Sequence, residues 1–421
     1  MEIFDVRQYG AAGDGIHLDT MAVQQAMDLA SEAGGIVYFP KGTYRVGTIR
    51  LKSHVTMTLG SRAVIKGSER IEDYPENVSG CVEAPSFSQV LFWGTDIENF
   101  MIAGSGRIEG SGYAFSDKRP MMLRILNGKN ITIRDVTLKD SASWCCHMIG
   151  CEDVTLDKVK IDNHANHNND GFDLDSCRFV TIQGCRISSG DDAVCLKSTT
   201  LVPCENITIT GCILSSETAA VKFGTSSKTG FRNIVIENCI FYDCPMGTIK
   251  LLCVDGGILE NVMIGNIEMD NVGSPLFIRA GRRNLSFEQP AENDFWGLGT
   301  DNGGDAGIIR NITIHDIHAN VTAAPECSPM MVTGLAESRI QNLSLCGLNI
   351  VWPGGGTEKE RERTIEEDPC RYPEQYFFGV LPAYALYARH VEGLHMEKIH
   401  FVLRAEDARE SVVFEDVEVR E

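Results

Sequence analysis

The chain has 421 residues, 43% hydrophobic and 23% charged, an ordinary globular composition that excludes a fibrous or disordered polypeptide. Its formal net charge of −20 offers no long-range attraction to nucleic acid or to an anionic membrane surface. No apolar run approaches the roughly 18–20 residues of a membrane span.

The opening residues, MEIFDVRQYG, carry neither the basic nor the apolar region of a secretory signal, so a cytoplasmic protein is expected. Its fifteen cysteines, an odd number, sit largely in strand-like stretches. In that compartment they read as reduced, buried thiols, and without paired ligands at short spacing no metal or other cofactor is expected. Thr20 to Ala33 has helical spacing, with Met21, Val23, Ala26, Met27 and Ala30 apolar, Gly34-Gly35 as a stop and Asp19 or Thr20 as candidate cap. Such a helix suits the role of covering the open end of a solenoid.

From residue 99 onward a phrase recurs in which Asn or another turn residue leads an apolar-x-apolar strand and a second short strand. It reads NFMIAGSGRI (99–108), NITIRDVTL (130–138), DVTLDKVKI (153–161), FVTIQGCRI (179–187), NITITGCIL (206–214), NIVIENCIF (233–241) and NVMIGNIEM (261–269). It returns as NITIHDIHA (311–319) and NLSLCGLNI (342–350). Starts from Asp153 to Asn261 lie 26, 27, 27 and 28 residues apart, a period that marks a stacked solenoid. The Ile, Val and Thr content favours strands over a leucine-rich repeat with helices. The expected fold is all-β, a right-handed parallel β-helix with a short N-terminal capping helix. It is expected to be one domain over 1–421: cap and first coils in 1–60, central coils with the cleft in 90–350, an insertion in 351–380, and C-terminal coils in 381–421. Cys185, Cys212 and Cys239 share one place in successive phrases and are expected to stack inside, not to form disulfides. Two stretches break the rhythm, 281–308 and 351–380. The run EKERER in the second reads most simply as a solvated loop.

Aligning the strand ahead of each phrase sets DGFDLDS (170–176) over DAVCLKS (192–198), and AAVKFGT (219–225) follows. Asp170 and Asp192 then occupy one position on neighbouring coils, about 4.8 Å apart, with Asp191 one residue earlier. Asp191 is expected to face away from Asp192 or to lie on a bend. Three carboxylates this close raise at least one pKa, so one can act as acid while another acts as base. That is the equipment of glycoside hydrolysis, where carboxyl groups about 6.5–9.5 Å apart leave room for water and give inversion. Turn or surface aspartates are the plainer alternative, which the third carboxylate in register disfavours.

These motifs, with FDVRQYGAAGDG, GGIVYFPKGTYRVGTIRLKSHVTMTLG and RPMMLRILNGKNITIRDVTLKDSASWCCHMIGCEDVTL, make most of the chain resemble glycoside hydrolase family 28, the polygalacturonase-like family. NNDGFDLDSC and SSGDDAVCLKS carry the most specific part of the likeness. The resemblance implies Asp191 as general acid, Asp170 and Asp192 as the pair activating water, and inverting hydrolysis without a metal. The family's next motifs depart: Thr218 stands where Gly-His-Gly would place its histidine, and TIK (248–250) replaces Arg-Ile-Lys, keeping Lys250 but not the arginine. Since the resemblance assigns those basic groups to the sugar carboxylate, the departure bears on the substrate. Lys222, Lys250, His167, Arg279 and Asn169 are the candidate substrate-binding residues, with Lys197, His164, Trp144, His147, Arg282 and Arg283 ranked lower. The expected activity is inverting, exo-directed hydrolysis of a pectin-like oligosaccharide containing galacturonate or rhamnose. The oligosaccharide is the only partner foreseen, and the oligomeric state is not legible. Two alternatives stand: a β-helical lyase using a lysine base with Ca²⁺ on the aspartates, and a non-catalytic carbohydrate-binding β-helix.

Overall fold

A computed structural model describes residues 2–75, 88–284, 303–323 and 328–420. The chain divides into two compact units, Met1–Ala193 and Val194–Glu421. In each, successive turns of chain lay strand on strand in parallel register, the right-handed β-helical arrangement that parallel crossovers favour.

The N-terminal helix runs Thr20–Ala33 and packs on the strands Ile3–Asp5 and Ile36–Phe39. Val23, Ala26, Met27 and Ala30 are fully buried, and Gly34 adopts φ +64° at its end, a conformation that favours glycine. Two details differ from expectation. Met21 is 80% exposed, because it falls on the solvent side of the helical stripe. Neither candidate side chain caps the helix. The Asp19 carboxylate instead accepts the Ala12 and Gly13 N–H groups at 2.7 and 3.1 Å, and Thr20 Oγ1 accepts Gly47 N–H at 2.8 Å. Both side chains tie the helix start to neighbouring loops.

Three strand rows build the first unit beyond the cap. One row is Val90–Thr95, Met121–Leu126, Cys146–Ile149 and Phe172–Asp175. The second is Glu98–Gly104, Lys129–Arg134, Glu152–Asp157 and Arg178–Gln183. The third is Arg107–Glu109, Thr137–Lys139, Lys160–Asn163 and Arg186–Ser189. In the second unit the strands following each corner fuse into long pieces, Gly230–Cys244, Ile258–Val272, Ile308–Val321 and Ile340–Trp352. Alternate Ile, Val and Leu side chains of these strands fill the interior, as a two-residue period demands.

The leading Asn of the repeat phrase now has a physical reason. Asn206, Asn233, Asn261, Asn311 and Asn342 all have φ between +55° and +57°, a left-handed conformation that Asn tolerates better than most residues. Each of the last four donates Nδ2–H to the Oδ1 of the one before it, at 3.1, 3.2, 3.2 and 3.0 Å, so the corners form a ladder of amides. Asn130 and Asn99 repeat the contact in the first unit at 2.7 Å. The thirteen described cysteines are all free. Cys212 and Cys239 touch inside the second unit, where Cys212 N–H lies 3.4 Å from the Cys239 sulfur, and Cys185 is buried in the first.

Most of the 281–308 insertion lies outside the described residues. In the 351–380 insertion, Glu358–Arg361 is a short exposed helix with a Thr357/Glu360 capping box, in keeping with a solvated EKERER run. The remainder of the insertion is packed down: Ile365 and Phe378, with Leu381 just after it, join Leu252, Phe277, Met331 and Tyr387, side chains of the strands beneath.

Candidate active site

In the first unit the chain leaves the strand Arg186–Ser189 and bends at 190–191, placing Asp191 on the bend and Asp192 immediately after it. Gly171 N–H donates to the Asp192 carbonyl at 2.9 Å and Phe172 N–H to that of Ala193 at 3.0 Å. This parallel register sets Asp170 beside Asp192, as the repeat alignment requires. One carboxylate oxygen from each of Asp170, Asp191 and Asp192 lies within 4.8 Å of the other two. Asp170 and Asp192 are each only 3% exposed, while Asp191 is half-buried. The doublet is resolved by the bend rather than by strand alternation: Asp191 turns back so that its Oδ1 accepts Asp192 N–H at 3.0 Å. These nearest oxygens are closer than the separation of about 6.5–9.5 Å between carboxyl groups of inverting sites, so the stereochemical outcome is a real test of the mechanism. An all-oxygen trio of this kind also suits a hard cation such as Ca²⁺ better than Zn²⁺.

The scaffold of the trio is made of amides. Asn169 was a candidate for substrate contact, and the structure places it elsewhere. It is fully buried, its Nδ2 donates to the carbonyls of Ser141 and Ser143 at 2.9 and 3.0 Å, and its Oδ1 accepts Asn166 N–H. With its amide committed on both sides, Asn169 braces the turn that delivers Asp170. Asn163 works alongside it, donating to the Asp170 carbonyl at 2.8 Å and accepting Ser141 N–H at 2.8 Å. His167 is exposed, with its carbonyl held by the Arg119 guanidinium. Partial burial and the nearby Arg119 charge hold its imidazole below the ordinary 6.5, against the opposing pull of Asp191. Sequence reasoning missed Arg119, which is 6% exposed and also donates to Asn168 Oδ1 at 3.0 Å. Asn168 Nδ2 in turn approaches Asp191 Oδ2 at 3.4 Å, so Arg119 reaches the half-buried carboxylate through one amide. His164 turns aside to Ser188 Oγ at 2.8 Å.

A second row was legible only in part. Register places Arg124 opposite His147 and His147 opposite Asp173, and all three are no more than 2% exposed. Trp144 meets the His147 ring edge-on at 5.1 Å and packs with Val90 and Met121. The signal for Arg124 and Asp173 lay in the alignment of MLRIL, CHMI and FDLD, where one position is charged or titratable in three successive coils.

In the second unit the basic candidates are committed to the insertion. Lys222 and Lys250 face each other across adjacent strands, and both reach Glu374, at 3.2 and 2.6 Å. Lys250 is 1% exposed, Lys222 6% and Glu374 6%. Arg279 departs from expectation most clearly. It is fully buried under the Phe378 ring at 4.6 Å and donates to the carbonyls of Glu367 and Asp368. Burial lowers its pKa to about 10. Arg283 pairs through two nitrogens with Asp255, at 2.9 and 2.7 Å, and Arg282 with Glu337 at 3.2 Å. The arginine cluster of PLFIRAGRR therefore serves as an anchor. Thr248, where the resemblance expected an arginine, is fully buried and donates Oγ1–H to Ser274 and Pro275 carbonyls at 3.1 and 2.8 Å.

Parallel coils carrying a carboxylate trio at one strand edge define a β-helical protein with a clustered acidic site. The model for glycosyl hydrolases family 28 matches residues 35–357, and the chain belongs to that family. A probable polygalacturonase of Vitis vinifera is 30% identical over 211 residues, 45% of this chain and 43% of that protein. Plasmin and fibronectin-binding protein A of Streptococcus pneumoniae is 34% identical over 169 residues, 37% of this chain and 23% of that protein. The chain therefore spans less than half the length of either relative. Among solved structures, a hyperthermoactive exopolygalacturonase from Thermotoga maritima superposes with a TM-score of 0.73 at 19% identity, over 95% of this chain and 92% of that one.

Proposed function

We propose that this protein is an inverting, exo-acting glycoside hydrolase of pectin-like oligosaccharides. Asp191 protonates the leaving oxygen, while Asp170 and Asp192 activate the attacking water. The observation that carries the reading is the close approach of the three carboxylates, two of them almost fully buried. Like charges this close disfavour ionising all three carboxyls at once, the condition under which one of them can serve as general acid. Family membership supports the chemistry, and the exopolygalacturonase fold relative is in keeping with exo action.

Lys222 and Lys250 share the single carboxylate of Glu374, so the second unit keeps a buried basic pair only partly offset by that one charge. The substrate is accordingly read as an oligosaccharide containing galacturonate or rhamnose. The test is release of reducing ends from oligogalacturonides, rhamnogalacturonan fragments and neutral rhamnosides, with products weighed by mass spectrometry. Hydrated products from galacturonate- or rhamnose-containing members of the panel, abolished by Asp191→Asn, are expected. Unsaturated products would replace hydrolysis by elimination, and no product from any member would overturn the substrate class.

A second reading, a binding β-helix without turnover, draws on the likeness to the pneumococcal binding protein and on Thr218 and Thr248 replacing basic residues. Saturable binding of the same panel with no product at any enzyme concentration would favour it.

A further inference from the structure

Of the thirteen described cysteines, twelve are buried and one, Cys346, is within reach of solvent. Burial pushes internal thiols such as Cys244 and Cys253 up to about 12, which leaves them inert. Cys346 has different company. Its strand, Ile340–Trp352, pairs with Ala383–Glu397 so that Ser344 lies opposite His395 and Cys346 opposite Glu397. Leu343, Leu345 and Leu394 turn inward, so these four side chains share the outward face as a two-by-two array. We infer that Cys346, His395 and Glu397 form a binding site for a borderline divalent metal ion of the Zn²⁺ class, with a fourth position left to water.

Three observations carry this inference. One donor atom from each residue, Sγ, a ring nitrogen and a carboxylate oxygen, lies within 4.8 Å of the other two. Nε2 of His395 is 3.8 Å from Glu397 Oε2. A tetrahedral Zn²⁺ with ligands at about 2.0–2.3 Å sets its donors roughly 3.3–3.8 Å apart, so small rotamer shifts close the site. The donors are also oriented by a second layer. Lys398 Nζ holds Glu397 Oε1 at 3.1 Å, leaving Oε2 to face the imidazole, and Ser344 Oγ lies 3.3 Å from the Cys346 sulfur. Such outer partners fix ligand geometry in metal sites.

The donor chemistry selects the ion. Thiolate with imidazole and one carboxylate suits Zn²⁺, Co²⁺ or Cu²⁺, whereas Ca²⁺ and Mg²⁺ prefer oxygen throughout. Cys346 and His395 stand 49 positions apart in the sequence, so no short metal motif announces them. The site shares no residue with the carboxylate trio and stands apart from the proposed hydrolysis.

The test uses the full chain after chelator treatment. Co²⁺ titration is expected to give a thiolate-to-metal charge-transfer band, and Zn²⁺ to slow alkylation of the Cys346 peptide, read by mass spectrometry. Cys346→Ser removes the band. Glu397→Gln and His395→Ala each weaken Zn²⁺ at least tenfold, and Ser344→Ala weakens it by about tenfold. All four positions are on the outward face, so the variants are expected to fold, which circular dichroism checks. No charge-transfer band, or a band that survives Cys346→Ser, overturns the assignment, as does Zn²⁺ that leaves Cys346 alkylation unchanged.

Discussion

Replacing Glu374 by glutamine keeps the shape of the side chain and removes the charge that Lys222 and Lys250 share. At 2.6 Å the Lys250–Glu374 pair has a Coulomb energy of about 6 kcal/mol at an effective dielectric of about 20. Desolvation of two nearly buried charges offsets much of that in the native protein. The mutant keeps the desolvation cost of Lys250, 1% exposed, without its attraction, so Glu374→Gln is expected to cost about 3–5 kcal/mol. Denaturant unfolding gives the total, and hydrogen exchange of the strand Ile249–Cys253 shows whether the loss is local. Because the penalty belongs to the stranded ammonium, Lys250→Met added to Glu374→Met should recover most of it. A Glu374→Gln protein within about 0.5 kcal/mol of wild type, the range of ordinary surface substitutions, would refute the argument. So would a double variant no better than the sum of the singles.

Other expectations are as direct. Hydrolysis followed by proton NMR should release the sugar with inverted anomeric configuration, and retention would mean that one carboxylate of the trio attacks directly. Asn169→Leu should cost about 2–4 kcal/mol, because it removes the Asn169 donor to the buried Ser141 carbonyl and leaves Ser143 only the longer bond from Asn163 at 3.4 Å, and thermal unfolding reads it. His167 should titrate by NMR below 6.5, so its imidazole is already neutral at pH 7, and Arg119→Met should move the midpoint upward. Asn261→Ala should cost about 1–2 kcal/mol, through a non-Gly residue at positive φ and two ladder bonds lost, with Asn261→Gly intermediate.

The coil architecture was legible because its constraints are local and repeat. A corner that needs a left-handed residue calls for Asn every 26–28 residues, and strands buried on one face must alternate, so Asn206 to Asn261 announced the period. The same stacking rule carried Asp170 onto Asp192. Side chains whose partners come from outside the repeat were not legible. Lys222 and Lys250 look like cleft residues until Glu374 arrives from 152 and 124 residues away. Arg279 likewise looks exposed until Phe378 covers it. Asn169 was misread because an invitation to bind sugar and an obligation to brace two carbonyls demand the same amide. Arg119 opens a family-like stretch but had no role assigned in it, and only the fold brings it to Asn168.

The amide ladder of the second unit has a direction. From Asn233 to Asn342 every rung donates toward the N-terminal side and offers its oxygen toward the C-terminal side. Synthesis proceeds in that same order, so each new coil arrives with its hydrogen-bond donor at a corner whose acceptor is already in place. At these corners the growing edge is directional: each finished corner presents the amide oxygen to which the next corner's Asn is added.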